Sequence, residues 1–281
     1  MIVHSALSAG TYLAGKRALA ELSPIDVALA RFALAAAVHA VVLWRLRVRF
    51  ERRDLPGIAA LGVLAVAVNQ LLFLGGLARS TPGHAALLYA TTPIFVFLVE
   101  RLRGRERGSA LKVTGIAVAF AGTVVVLSAR GVLGLAGARD VLAGDALLLL
   151  AVISWAIYAV GGKAYAARYG GLAAGAGTLV AGTIVCVPPG LALFHPAKVA
   201  AASPWALASL GYLVLVTSVL AWLIYYWALG RAEASRVAIW SNLQPVLTAL
   251  LAWALYGEAL TAPFVAGGAM VVAGVVLTER G

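Results

Sequence analysis

The sequence predicts an all-α membrane protein: ten transmembrane helices arranged as two inverted five-helix repeats. Three observations carry this. Of the 281 residues 63% are apolar and only 12% charged, with a mean hydropathy of +0.97; a water-soluble surface needs roughly a quarter of all residues charged. The chain also repeats itself. Arg79 falls on Arg231, Pro93 on Pro245, Glu106 on Glu258, Gly115 on Gly267 and Gly122 on Gly274, at one ungapped offset of 152, and a fixed offset over such a length marks an internal repeat. The third observation is charge. Arg45, Arg47, Arg49, Arg52 and Arg53 follow the second apolar run and Arg101, Arg103, Arg105 and Arg107 the fourth. In the second half the bases move to the other loops, Lys163 and Arg168, then Arg231 and Arg236, while the counterparts of the Arg-rich loops hold only Lys198. Cytoplasmic loops collect Lys and Arg. Five crossings per copy, an odd number, therefore invert the second copy.

Runs long enough to span hydrocarbon, roughly 20 residues each, fall at 2–19, 26–46, 56–78, 83–102, 109–129, 142–165, 172–194, 204–229, 235–256 and 261–278. Pro24, Pro56, Pro82, Pro204 and Pro263 stand where helices begin, which suits a residue lacking an N–H. The expected organisation is a first repeat over 1–130, a linker over 131–143 and a second, inverted repeat over 144–281, with both termini in the cytoplasm. No basic n-region precedes the first run, so no cleavable signal is expected. That run reaches Lys16 and Arg17 early and reads as a shortened first helix.

The formal charge of +11 lies beside apolar runs, so it sets topology rather than contacting nucleic acid. One cysteine, Cys186, excludes a disulfide within the chain, and no metal or cofactor site is expected. An embedded enzyme would need a nucleophile with its base, or a metal cluster. The four histidines (His4, His39, His84, His195) fall on four separate helices, without G-x-S-x-G or H-E-x-x-H. A channel would need a ring of like charge or a carbonyl filter. Inverted repeats instead place a site between the halves near midplane and let one bundle rock against the other.

Ten spans in five-plus-five form, the paired segments Pro93 to Glu106 and Pro245 to Glu258 with the glycines after them, LSPIDVALARF at 22–32 and LYGEALTAPFVAGGAMVVAGVVL at 255–277 together resemble the drug/metabolite transporter superfamily, EamA type. The resemblance covers nearly the whole chain. It implies a ten-helix exporter of the cell inner membrane with a central cavity, and offers the YddG-type exporters of aromatic amino acids as its functional analogy. Relatives of this kind move amino acids, nucleobases, drugs or other metabolites. The expected partners are a small-molecule substrate and membrane lipid, with monomer and homodimer both open.

Polar groups at membrane depth face the bundle interior, which selects the candidate substrate-binding residues. Trp240, Asn242 and Gln244 precede Pro245, with Ser241 beside them; Tyr89 and Thr92 precede Pro93. A proline kink frees carbonyls that must meet protein, water or substrate. Aligning Gly15-Lys16 with Gly162-Lys163 pairs Ser8 with Trp155 and Thr11 with Tyr158, and Tyr12 adds a ring. Each of these residues either lines a cavity or only bonds across helices. Asn69, Gln70, Thr217 and Ser218 are further candidates. Tyr225, Tyr226, Trp227 and Trp44 read as an interfacial belt; Arg31 snorkels or pairs, while Lys16 and Lys163, at one repeat position, either snorkel to the interface or act as a gate or anion-attracting group. No acid falls at midplane, which points to facilitated rather than proton-coupled movement.

Overall fold

The computed structural model describes residues 1–104, 109–129, 139–247, 250 and 261–281, and every regular element among them is helical. Glu106 and Glu258, Arg105 and Arg107, residues 131–138 of the linker and residues 251–256 of the ninth expected span lie outside the described residues.

Six helices are long and apolar enough to cross a membrane, Pro24–Leu46, Leu55–Arg79, His84–Leu102, Asp140–Tyr169, Gly171–Leu193 and Pro204–Leu229, and a shorter apolar helix covers Ala110–Val125. The helical segments include α1 (Ile2–Ala9), α2 (Thr11–Ala18), α3 (Pro24–Leu46), α4 (Leu55–Arg79), α5 (Pro82–Tyr89), α6 (Thr92–Leu102), α7 (Ala110–Ala129), α8 (Arg139–Tyr169), α9 (Gly171–Gly190), α10 (Pro204–Leu229), α11 (Ala234–Ala238) and α12 (Ala262–Arg280), with a short helix at Pro196–Ala200 between α9 and α10. Ser23, Thr81 and Ser203 cap α3, α5 and α10, each hydroxyl accepting from a backbone N–H three residues on at 3.1, 3.1 and 3.2 Å, with proline next in line. The sequence marks these starts correctly because the cap is local.

Two expected continuous spans are interrupted. The Tyr212 hydroxyl inserts at Gly10, where a Cβ would lie 2.4 Å from it, and donates to the Leu7 carbonyl at 2.7 Å. A side chain entering the hydrogen-bond ladder is a known cause of a kink. The other break, at Ala90 and Thr91, lies just before Pro93. Proline withholds the N–H that would reach Tyr89, and the Thr92 hydroxyl bonds that carbonyl instead at 2.6 Å. Two further irregularities are π-helical turns, Leu64–Asn69 inside α4 and Leu213–Ala221 inside α10.

Glycines set the closest helix contacts. A Cβ at Gly62 would sit 2.2 Å from the Thr178 carbonyl, and one at Gly182 2.3 Å from Gly62, so α4 and α9 touch backbone to backbone. On α7 and α12 Gly115 meets Gly274 and Gly122 meets Gly267, an antiparallel pairing. Small residues give membrane helices this approach, because packing rather than hydrophobicity holds helices together in lipid.

Tyr225 and Tyr226 depart from the expected belt: both are buried in the largest apolar cluster. Gly171 and Gly175 of α9 leave the space that Tyr226 fills. Trp227, one residue on, points outward with the Arg231 guanidinium 4.3 Å above its ring, and Trp44, 70% exposed, is covered by Arg45 at 5.1 Å. Lys16 donates to the carbonyls of Leu77, Ala78 and Ser80 at 2.9, 3.2 and 2.7 Å and so closes the end of α4. Glu233 joins α7 to the start of α11 through Lys112 and Arg236.

Gly62→Ala is expected to lower the thermal midpoint in detergent by several degrees, since overpacking costs about 1–3 kcal/mol, whereas Gly268→Ala, whose nearest neighbour is a side chain at 3.6 Å, leaves it unchanged. The hydrogen bond from Lys112 holds the Glu233 carboxyl below its ordinary value of 4.5. A carboxyl lowered by folding stabilises above its unfolded value and loses that contribution as pH falls through the folded one. Glu233→Gln should therefore cost under about 1 kcal/mol at pH 7, and the gap from wild type should close as melting is followed below pH 4.5.

Candidate functional site

A cavity of about 110 Å³ lies between the helices, with walls from α1, α2, α3, α4, α5, α6, α8 and α10 and from Ser241 and Gln244. It holds a few waters at about 30 Å³ each or one small solute, less than the roughly 300–1,000 Å³ of drug-sized pockets.

Two aromatic groups flank it. Tyr12, Phe73 and Tyr89 pack edge to face with centroids 5.4–6.1 Å apart. Trp155 stands 5.5 Å from Trp222 and 5.4 Å from Tyr225, which in turn lies 5.5 Å from His4. The wall between them is polar. Arg31 of α3, only 4% exposed, donates through Nε to Ser218 at 2.5 Å, through Nη1 to the Gln70 carbonyl oxygen at 2.9 Å and through Nη2 to Thr217 at 3.0 Å. Gln70 passes its amide N–H to Asn69 at 2.9 Å, and Asn69 donates to the Ala151 carbonyl at 2.7 Å and to Ser154 at 3.1 Å. The π turns position this chain. Asn69 ends one and Thr217 and Ser218 sit within the other; i→i+5 pairing fits an extra residue into a turn and swings its neighbours inward. On a further wall the Tyr12 hydroxyl donates to the Gln244 carbonyl oxygen at 3.0 Å.

Of the candidate residues, Ser8, Thr11, Tyr12, Tyr89, Thr92, Trp155 and Gln244 border the cavity. For Gln244 both readings hold together, since it lines the space and bonds across helices. Tyr158, Trp240 and Asn242 do not border it. Tyr158 is buried one layer behind, its hydroxyl 3.0 Å from that of Thr178 and its ring against Trp155, Trp222 and Tyr226. Trp240 turns away and donates its indole N–H to Glu279 at 2.7 Å. It and Gln244 share a face only in an α-helix, whereas Ile239–Asn242 is 3₁₀, with three residues per turn. Asn242 is fully buried, and neither amide atom meets a partner among the described residues.

His4, Arg31, Phe73, Ala221, Trp222 and Tyr225 are cavity residues that the candidate set omits. Only Arg31 left a readable trace, a cation seven residues into an apolar helix. His4 donates from Nδ1 to the Ala221 carbonyl at 3.0 Å, which fixes its tautomer. No three His, Cys, Asp or Glu side chains among the described residues gather as a metal site.

A bundle of membrane helices around a small cavity with polar and aromatic walls defines the class as a multi-pass membrane protein with a central cavity. The profile of the EamA-like transporter family matches residues 1–128 and again 142–280, and the chain belongs to that family. It is 30% identical over 96% of its length, and 93% of the relative's, to an uncharacterized transporter of Archaeoglobus fulgidus. A probable terminal-alkyne amino-acid exporter of Streptantibioticus cattleyicolor is 31% identical over 90% of this chain and 83% of its own. YedA, an uncharacterized inner membrane transporter of Escherichia coli K12, is 29% identical over 80% and 72%. One crystal structure superposes with a TM-score of 0.77 over 99% of this chain and 95% of its own; at 19% identity it shares the fold.

Trp155→Ala and Gln244→Ala are expected to abolish most solute movement in proteoliposomes while expression stays at the wild-type level. Tyr158→Phe, outside the cavity wall, should keep transport and lower stability by about 1 kcal/mol, as one lost buried hydrogen bond does.

Proposed function

We propose that this chain is a secondary transporter of the cell inner membrane that exports small metabolites, amino acids with aromatic or neutral side chains foremost, by alternating access of the central cavity. The observation that carries it is the cavity itself: a space of about 110 Å³ with hydrogen-bonding groups between two aromatic walls, fed by helices from both ends of the chain. Such a lining suits a solute with a polar head and an apolar body. Nucleobases and other metabolites of similar size are the runner-up class.

The proposed frame is ten transmembrane helices in two inverted halves, 1–130 and 144–281 about a linker at 131–143, both termini cytoplasmic. Three things support it. The family profile matches twice in succession. The π turns at Leu64–Asn69 and Leu213–Ala221 coincide at the repeat offset. Gly115 against Gly274 and Gly122 against Gly267 is the reciprocal contact of a two-fold axis across antiparallel helices, since Gly115 corresponds to Gly267 and Gly122 to Gly274. Polar contacts stand at both ends of the bundle, as alternating access needs: Glu21 with Ser203 and Asp26 with His195 at one, Arg168 with Glu51 and Asp54 at the other. The relative named as an amino-acid exporter supports the substrate class.

His4 on the cavity wall favours a second reading of the energetics, in which a proton moves with the solute. Counterflow in proteoliposomes preloaded with unlabelled amino acids tests both. Saturable, trans-stimulated entry of labelled phenylalanine without a pH gradient is the expected result; nucleobase entry alone would replace the substrate, and no counterflow would remove the carrier. Dependence on a pH gradient that His4→Gln abolishes would establish the second reading.

A further inference from the structure

We infer that Arg31 is the receptor for a carboxylate, so that the cavity selects small monocarboxylates, amino acids included, by their anionic group and not by an amine. This rests on the cavity being the transport path.

A guanidinium stays charged in any protein site. The three hydrogen-bond partners of Arg31 are all neutral, the hydroxyls of Ser218 and Thr217 and the amide oxygen of Gln70, and so is the Phe32 ring that its guanidinium covers at 5.1 Å. They satisfy three of its five N–H groups and none of its charge. Thr217 spends its own proton on the Leu213 carbonyl at 2.7 Å and Gln70 is held by Asn69, so both present lone pairs to the cation. Among the described residues no carboxylate lies against it. The described acids near other charges are engaged elsewhere, Asp26 with His195, Asp145 with His84, Glu51 and Asp54 with Arg168, and Glu233 with Lys112.

An unneutralised cation at this depth is costly and marks a function by default. Arg31 borders the cavity, so an anion arriving there gains what the protein leaves out: a charge partner in a low-dielectric site, with the forked geometry that carboxylates match. The rings of Trp155, Trp222 and Tyr225 remain for the apolar body. The described residues bordering the cavity include no acid, so an ammonium finds only neutral acceptors and ring faces there, and a substrate of net positive charge meets repulsion from Arg31. Amines and cationic drugs are thereby disfavoured.

The test is the thermal midpoint of the purified wild-type protein in detergent with phenylalanine, 3-phenylpropionate, phenylalaninamide or phenethylamine. Both acids are expected to raise it and both amines to leave it unchanged. Equal protection by the amines, or none by either acid, overturns the assignment. Arg31→Gln should weaken protection by the acids about ten- to a hundredfold, the range of a charge-assisted hydrogen bond, with Arg31→Lys retaining part; undiminished protection in Arg31→Gln also overturns it. Should Arg31→Gln fail to fold, the wild-type series still decides. Counterflow separates the two readings. Exchange of 3-phenylpropionate without phenylalanine keeps the carboxylate receptor and removes amino acids as substrates, whereas exchange of phenylalanine and phenylalaninamide alike keeps the carrier and overturns the role of Arg31.

Discussion

One guanidinium ties the centre of this bundle together. Arg31 reaches from α3 to Gln70 of α4 and to Thr217 and Ser218 of α10, and through Gln70 and Asn69 its polarisation runs on to α8. A cation placed among apolar helices draws polar partners to its N–H groups, because hydrocarbon offers none. Four helices are thereby fixed relative to one another at the level of the cavity. Hydrogen bonds between neutral side chains in membrane proteins are modest; those to an ion are roughly twice as strong. That difference makes the Arg31 cluster the anchor and the Tyr12 to Gln244 contact an adjunct.

The same economy explains why the helices are irregular where they meet the cavity. A regular helix satisfies its own backbone and turns a uniform face to its neighbours, which leaves no polar space at depth. Side chains meet carbonyls at these irregular points: that of Leu7 accepts from Tyr212, that of Tyr89 from Thr92, and that of Trp240 from Ser5 at 2.7 Å. The gain is a set of side chains swung inward from π and 3₁₀ turns without an unmet backbone group at those carbonyls. Farther out, glycine contacts such as Gly62 with Gly182 keep the frame rigid around this irregular centre.

Much of the site was legible because hydropathy isolates polar groups in apolar runs. Seven of the ten candidate residues border the cavity, from Ser8 to Gln244, and Pro93 marked a real break. The failures have definite causes. Trp240 and Gln244, four residues apart, would share a face in an α-helix, but the 3₁₀ turn at Ile239–Asn242 does not follow that spacing. Tyr225 and Tyr226 look interfacial by position, yet glycines on another helix make room for Tyr226 in the core, and Tyr225 faces the cavity. Arg31 reads from the sequence as a cation that snorkels or pairs; that it pairs, and with which groups, depends on partners 39 to 187 residues away.

By itself the sequence determined the membrane class, the helix starts and the family, since each depends on composition, on a local cap or on similarity carried along the chain. Only the tertiary structure decided which polar residues meet. A span of twenty apolar residues tolerates several rotations about its axis, and the choice among them is made by contacts from other helices: the glycine seams, the intruding Tyr212 hydroxyl, and the acceptors that draw Arg31 inward.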